Sequence, residues 1–384
     1  MARPRPLSRR DLVRTLGAGA AALPLAGCGV GWGLSGPRTE APAEVSPPPP
    51  LAPPPVEPAE VIAIARDARP RPPLAPRPIT LPPRLPPGGT VGLVAPAGVL
   101  RSTDQVTEAV QALEGLGFRT KVGRQVMARF GFLAGTDAAR ARDFMAMVRD
   151  PEVDAVLAVR GGWGCARILP LLDYDEIAAH PKPIVGYSDI TALLLAVYAR
   201  TGLVTFHGPV GVSTWRGLTS GSFVRTLVDG VAPALGPETR ADRDRTETVR
   251  PGVAEGPVVG GNLSVIAGLV GTGFLPDLDG HVVFFEEVGE DAYRIDRMLV
   301  QLELARTLRD PAGVAWGQCS SCGSGGSTWS ANETIRRHLA GYRCPSLLGA
   351  PIGHASPVYT LPVGLPARLD AGAGTLEYLG GAVA

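Results

Sequence analysis

From Thr90 onward, short and wholly apolar runs alternate with longer segments whose apolar residues recur every three or four positions. "TVGLVAPAG" is a buried-type strand entering a glycine turn, and Val106, Ala109, Val110 and Leu113 then repeat at helical spacing. A second helix is predicted from the Thr136/Asp137 cap through Phe144 and Val148. "VDAVLAVR" is the next strand and ends in "GGWG"; a short helix, the strand "PIVGY" and the helix "DITALLLAVYA" follow. Strands separated by helices of this length imply a parallel sheet covered on both faces. The expected fold class is therefore α/β, with an N-terminal parallel-sheet domain over 90–235 that sets Ser188 at a strand-to-helix corner. The polar stretch 236–251 lacks apolar periodicity and reads as a linker. Residues 252–384 again mix strands ("HVVFFEE", "AGVAWGQ", "SLLGAPIGH") with helices ("YRIDRMLVQLELAR", "NETIRRHLAG"), and end in β-structure around "ARLDAGAGTLEYL". They form a C-terminal mixed α/β domain.

Residues before Thr90 have a different character. Pro37 to Pro87 hold 19 of the 39 prolines, so 29–88 is expected to be an extended, semi-rigid and disordered spacer. Residues 1–28 carry Arg9 and Arg10, then an apolar stretch too short to span a bilayer, as in a twin-arginine export signal. Leu25-Ala26-Gly27-Cys28 resembles a bacterial lipobox, which makes Cys28 a lipidation candidate and the membrane surface a partner. The alternative is an ordinary signal with an incidental cysteine. The expected location is outside the cytoplasm, in the periplasm or cell envelope. A formal net charge of +1, with no basic cluster interleaved with aromatics beyond the signal, leaves nucleic-acid binding without a footprint. Among the other cysteines, Cys319 and Cys322 can pair with each other, or one of them with Cys344. A zinc site lacks the second half of its ligand pattern, so a structural disulfide ranks above redox chemistry and above a metal.

Ligands of open α/β sheets bind beyond the carboxyl ends of the strands. Polar residues at such ends are the "RGGWG" run from Arg160, Ser188, His207, Glu286, Glu287 and His354. A serine hydroxyl needs a base, commonly an imidazole oriented by a carboxylate, before it becomes a nucleophile. Ser188 lacks the second glycine of G-x-S-x-G, because Ile190 stands there. Capping the following helix would explain a serine at this corner equally well. His207 and His354 both end strands beside glycine and compete as the base. Glu286 follows four apolar residues, so its carboxylate needs a buried partner: a histidine, or Arg294 or Arg297 on the next helix. The N–H of Asp189 at the helix start and one from the glycine loop are candidate oxyanion donors.

"AVRGGWGCARILPLLDYDEI", "PKPIVGYSDITALLLAVYARTGLVTFHGP", "GGNLSVIAGLVGT", "FFEEVGEDAYRIDRMLVQL" and "GAPIGHASPVYTLPVG" resemble, in order and spacing, the LD-carboxypeptidase family, which includes the microcin-immunity peptidases. The resemblance spans essentially everything from Thr90. It implies a serine peptidase with nucleophile Ser188, acid Glu286 and base His354, and an oxyanion hole at Gly162 and Asp189. The terminal carboxylate of the substrate is then expected near Arg160, Gly161, Trp163 or Asn262. The implied substrate is a peptidoglycan stem peptide, cut at an L,D-amide to release D-alanine, with no metal or cofactor. Stable dimers are common in that family, which makes a homodimer one candidate assembly; the residues themselves do not decide the oligomeric state. The export signal departs from the typically cytoplasmic members that recycle cell-wall fragments. A microcin-immunity-like peptidase and a non-catalytic cell-wall-binding lipoprotein are the competing expectations.

Overall fold

The computed structural model describes residues 77–236 and 245–384. The signal with Cys28, spacer residues 29–76 and linker residues 237–244 lie outside the described residues.

Strands β1 (Thr90–Val94), β2 (Arg119–Val122), β3 (Ala155–Ala158), β4 (Ile184–Gly186) and β5 (Thr205–His207) run parallel in the order β5-β4-β3-β1-β2. Every residue of β1, β3, β4 and β5 is buried, as uninterrupted apolar runs require when helices cover both faces. The crossovers carry helices α1 (Asp104–Gly115), α2 (Asp137–Arg149), α3 (Tyr174–Ala179) and α4 (Thr191–Thr201), and α5 (Leu218–Leu227) follows β5. Thr136 caps α2 as the sequence predicts, accepting a hydrogen bond from the Ala139 N–H at 3.3 Å. Edge strand β2 reads Arg-Thr-Lys-Val, with no apolar run to announce it; its end residues are exposed and its middle two half-buried.

A second sheet has the order β6-β14-β13-β8-β9-β10-β11-β7. It comprises β6 (Ala234–Leu235), β7 (Glu247–Arg250), β8 (Val253–Asn262), β9 (Val282–Val288), β10 (Gly313–Ser320), β11 (Ser346–Leu348), β13 (Pro366–Asp370) and β14 (Thr375–Tyr378). Strands β8 to β11 are parallel and the flanking ones antiparallel. Helices α6 (Leu263–Leu269), α7 (Ala292–Leu304) and α8 (Ala331–Gly341) connect the parallel strands. Among the described residues, no helix is long and apolar enough to cross a membrane.

The boundaries read from sequence need three corrections. Strand β12 (Leu361–Val363), inside the expected C-terminal domain, pairs antiparallel with β5 in the first sheet, while β6, inside the expected N-terminal domain, belongs to the second. Leu235, Leu361 and Val363 are buried, but a two- or three-residue run carries no sign of which sheet completes its hydrogen bonds. The expected linker 236–251 contains β7, which pairs with β11. Residues 77–88 of the expected spacer are held on the fold. Thr80 donates its N–H to Gly202 O and accepts from Val204 N, both at 2.9 Å; Leu85 is wholly buried, and its N–H donates to Leu227 O at 2.9 Å. Proline suits such a strap because it need not donate to a ladder, and Leu81 and Leu85 supply its apolar anchors.

Candidate active site

Strand β4 delivers the chain into the corner Tyr187-Ser188-Asp189. Ser188 has φ +63°, the left-handed region that a residue with a Cβ adopts only when its surroundings impose it. Residues Ser188–Ile190 form a 3₁₀ turn before α4, and neither start receives a side-chain cap hydrogen bond. The capping explanation of Ser188 is thereby set aside.

The "GGWG" loop after β3 packs on this corner. A Cβ added to Gly161 would stand 2.9 Å from Ser188 Cβ, 3.1 Å from its Oγ and 3.3 Å from Asp189 N, so only glycine permits the approach. The Gly161 carbonyl accepts from Gly98 N at 3.1 Å, and Gly162 has φ +108°. Further along, Cys165 N donates to Asp189 Oδ2 at 2.8 Å. Asp189 is buried, which pushes its carboxyl up to about 6. Gly161 of the loop and the start of the turn thus lie against each other at Ser188.

The second sheet carries Glu286 and leads into the loop of His354. Gly261 of β8 lies against α4, where a Cβ would meet Thr191 Oγ1 at 2.5 Å, and Asn262 N donates to that hydroxyl at 3.1 Å. Beside β8, strand β9 carries Glu286, which is fully buried. Its Oε2 lies 2.6 Å from His354 Nδ1. His354, in the loop after β11, keeps 16% of its side chain exposed. The ring of Tyr187, the residue before Ser188, lies 4.8 Å from the imidazole, which brings the Glu286–His354 pair to the strand-to-helix corner that carries Ser188. The alternative partner for Glu286 fails, because Arg294 reaches Glu290 and Arg297 lies over the Tyr293 ring.

His207, the competing base, is wholly buried, with its ring 5.2 Å from Phe284 and 6.0 Å from Tyr187. Among the described residues neither of its nitrogens has a partner, and burial pushes it down to about 4. It is neutral at physiological pH and cannot be reached by solvent.

The expected substrate-binding residues divide. Trp163 is exposed, with its ring 6.3 Å from that of Phe132, an exposed aromatic that sequence reading did not single out. Phe132 lies in the aperiodic stretch "ARFGFLAG", which offers no local signal. Arg160 donates to Val99 O at 2.9 Å and is half-buried. Gly161 serves close packing on Ser188. Asn262 is buried; its oxygen caps α6 and accepts from Ser264 Oγ at 2.7 Å, and its amide donates to Glu287 Oε1 at 3.0 Å. The start of α6 engages its side-chain oxygen, and the buried Glu287 carboxylate accepts one bond from its amide nitrogen. Cys319 and Cys322 are disulfide-bonded to each other, while Cys165 and Cys344 are free.

Comparison with known proteins gives a consistent set of similarities. The model of the LD-carboxypeptidase N-terminal domain matches residues 91–208, and that of the LD-carboxypeptidase C-terminal domain matches residues 255–369. The chain is 37% identical over 303 residues to the probable murein peptide carboxypeptidase of Bacillus subtilis, covering 75% of this chain and 91% of that one. Among solved structures it resembles MccF in complex with glutamyl sulfamoyl guanosine, with a TM-score of 0.73 and 26% identity over 79% of this chain and 99% of that one. It also resembles the muramoyltetrapeptide carboxypeptidase of Oxalobacter formigenes, with a TM-score of 0.66 and 28% identity over 75% and 97% of the two chains.

Proposed function

This chain belongs to the LD-carboxypeptidase family, and on that premise we propose that it is an exported serine carboxypeptidase that removes the terminal D-alanine from peptidoglycan tetrapeptide stems. The observation that carries the proposal is the 2.6 Å contact between the buried Glu286 and His354 beside the left-handed Ser188. His354 takes the proton of Ser188 as its Oγ attacks the L,D-amide carbonyl. The oxyanion that forms is met by backbone N–H groups at Gly162 and Asp189. His354 then protonates the departing amine of D-alanine, which leaves an ester on Ser188, and activates a water that hydrolyses it. Glu286, hydrogen-bonded at Nδ1, holds the ring and stabilises the imidazolium.

Mass spectrometry of muropeptides before and after exposure to the protein tests this reading. Tetrapeptide stems should become tripeptides with release of one alanine, and Ser188→Ala should abolish the change. Unchanged stems with the native protein would refute the assigned substrate. The TM-score of 0.73 to MccF supports a second reading, a peptidase acting on a peptidyl-nucleotide amide. Faster turnover of such an amide than of the stem peptide would favour it.

Export and anchoring rest on Arg9, Arg10 and the lipobox ending at Cys28. In this reading a lipid on Cys28 tethers the protein and the proline-rich segment spaces it from the membrane surface. Cys28→Ala should move the protein from the membrane fraction to the soluble one; retention in the membrane fraction would contradict lipidation.

A further inference from the structure

The loop that faces Ser188 contains Gly161, Gly162 and Gly164, and glycine gives a backbone more conformational freedom than any other residue. Oxyanion stabilisation requires the opposite, because donors must be held in place before charge develops. The fold grips this loop at two consecutive residues. Gly164 O accepts from Nη1 of Arg140 at 2.9 Å, and Cys165 N donates to Oδ2 of Asp189 at 2.8 Å. Both side chains are buried, with Arg140 only 1% and Asp189 7% exposed. Arg140 also donates to Pro96 O and, through Nε, to Gly135 O at 3.3 Å. Its Nη2 donates to Asp137 Oδ1 at 2.6 Å, and Asp137 in turn receives Arg167 at 2.9 and 2.8 Å. A desolvated carboxylate is an expensive acceptor for one backbone N–H that a neutral side chain could serve.

We propose that Asp189 and Arg140 are positioning residues that clamp the Gly161–Cys165 loop against the nucleophile corner, so that its N–H groups stay aimed at the developing oxyanion. The inference deepens the serine-peptidase reading above and rests on it. Asp189 joins both halves of the device: its own N–H borders Ser188, while its side chain holds the facing loop. The charged and titratable groups facing its carboxylate are the Arg140 guanidinium from α2 and the Cys165 thiol, which burial pushes up and keeps neutral. An ionised carboxylate holds an N–H more tightly than a neutral one. With Asp189 at about 6, the clamp is firm at neutral pH and slackens as pH falls.

The test uses the full chain and two readouts: kcat and KM on a tetrapeptide stem across pH, and the rate at which a fluorophosphonate labels Ser188. Asp189→Ala should lower kcat about 100-fold with KM within about threefold, and should slow labelling by a similar factor. Asp189→Asn keeps an acceptor oxygen but does not titrate. It should stay within about tenfold of native activity near pH 8 and retain a larger fraction of that activity near pH 5.5 than the native protein does. Arg140→Lys should reproduce the kcat loss in part. If Asp189→Ala does not fold by circular dichroism, Asp189→Asn and Arg140→Lys carry the test. Unchanged kcat and labelling in the variants that fold, or a change in KM alone, overturns the clamp. A native protein that is labelled at Ser188 yet releases no alanine refutes the substrate, while the labelling ratios still decide the clamp. Absence of labelling in the native protein overturns both.

Discussion

Oε2 of Glu286 stands 2.6 Å from Nδ1 of His354, with the carboxylate wholly buried and the imidazole partly open. A hydrogen bond at Nδ1 fixes which ring nitrogen carries the proton and leaves Nε2 free to accept one from a nucleophile. Glu286→Gln keeps the shape but presents a neutral amide, which neither enforces that tautomer nor stabilises the imidazolium. The expected result is a kcat lower by about 10³-fold or more with KM little changed. Steady-state kinetics check this, and a loss below about tenfold would speak against the acid role of Glu286.

Gly161 offers a sharper steric test. A methyl group there would stand 2.9 Å from Ser188 Cβ, a distance that forces either the corner or the loop to move. Gly161→Ala should therefore cost at least about 100-fold in kcat/KM, since displacements near 1 Å have effects of that size. Its circular dichroism spectrum should match the native one. Native-like kcat/KM would show that the loop and Ser188 are not packed as described.

His207 governs acid stability. Buried and pushed down to about 4, it stays unprotonated in the fold, whereas the unfolded chain takes up a proton below about pH 6.5. The unfolded state binds more protons between these values, so stability falls as pH drops through that window, by about 3 kcal/mol at most. Asp189, pushed up to about 6, acts oppositely: the folded state takes its proton first, which adds stability as pH falls toward about 4. His207→Phe removes only the first effect and should fit beside Phe284 and Tyr187. Urea unfolding near pH 7 and pH 4.5 should show a stability loss smaller in the variant by about 2 kcal/mol. Equal losses would contradict the burial of a neutral His207.

Leu85 reports on the strap. Its side chain is wholly buried although it lies in the proline-rich region. Leu85→Ala should destabilise the fold by about 2–5 kcal/mol, as other buried leucine truncations do. A change below about 0.5 kcal/mol, typical of surface positions, would mean that the strap is not packed.

These residues also indicate what a sequence can disclose. Ser188, Glu286 and His354 stand out because each polar side chain ends an apolar run, and a parallel sheet gathers such ends. The corner itself could not separate a cap from a nucleophile; the left-handed φ of Ser188 is set by tertiary packing and leaves no local trace. His207 and His354 look alike in strand-end pattern because each stands beside glycine after an apolar run, and in the fold burial and the Glu286 contact tell them apart. Strand β2 is too polar to register, and β12 is too short to reveal that it crosses to the first sheet. Arg140 lies 24 residues from its acceptor at Gly164, a separation at which periodicity carries no information.

The most direct measurement is peptide mapping of the protein after acid quench during turnover of a tetrapeptide stem. The account predicts that the peptide containing Ser188 gains the mass of the tripeptide acyl group, that the ester is lost on dilution into buffer, and that Ser188→Ala shows neither the adduct nor alanine release. Alanine release by Ser188→Ala at the native rate, or an acyl group mapped to another residue, would contradict it.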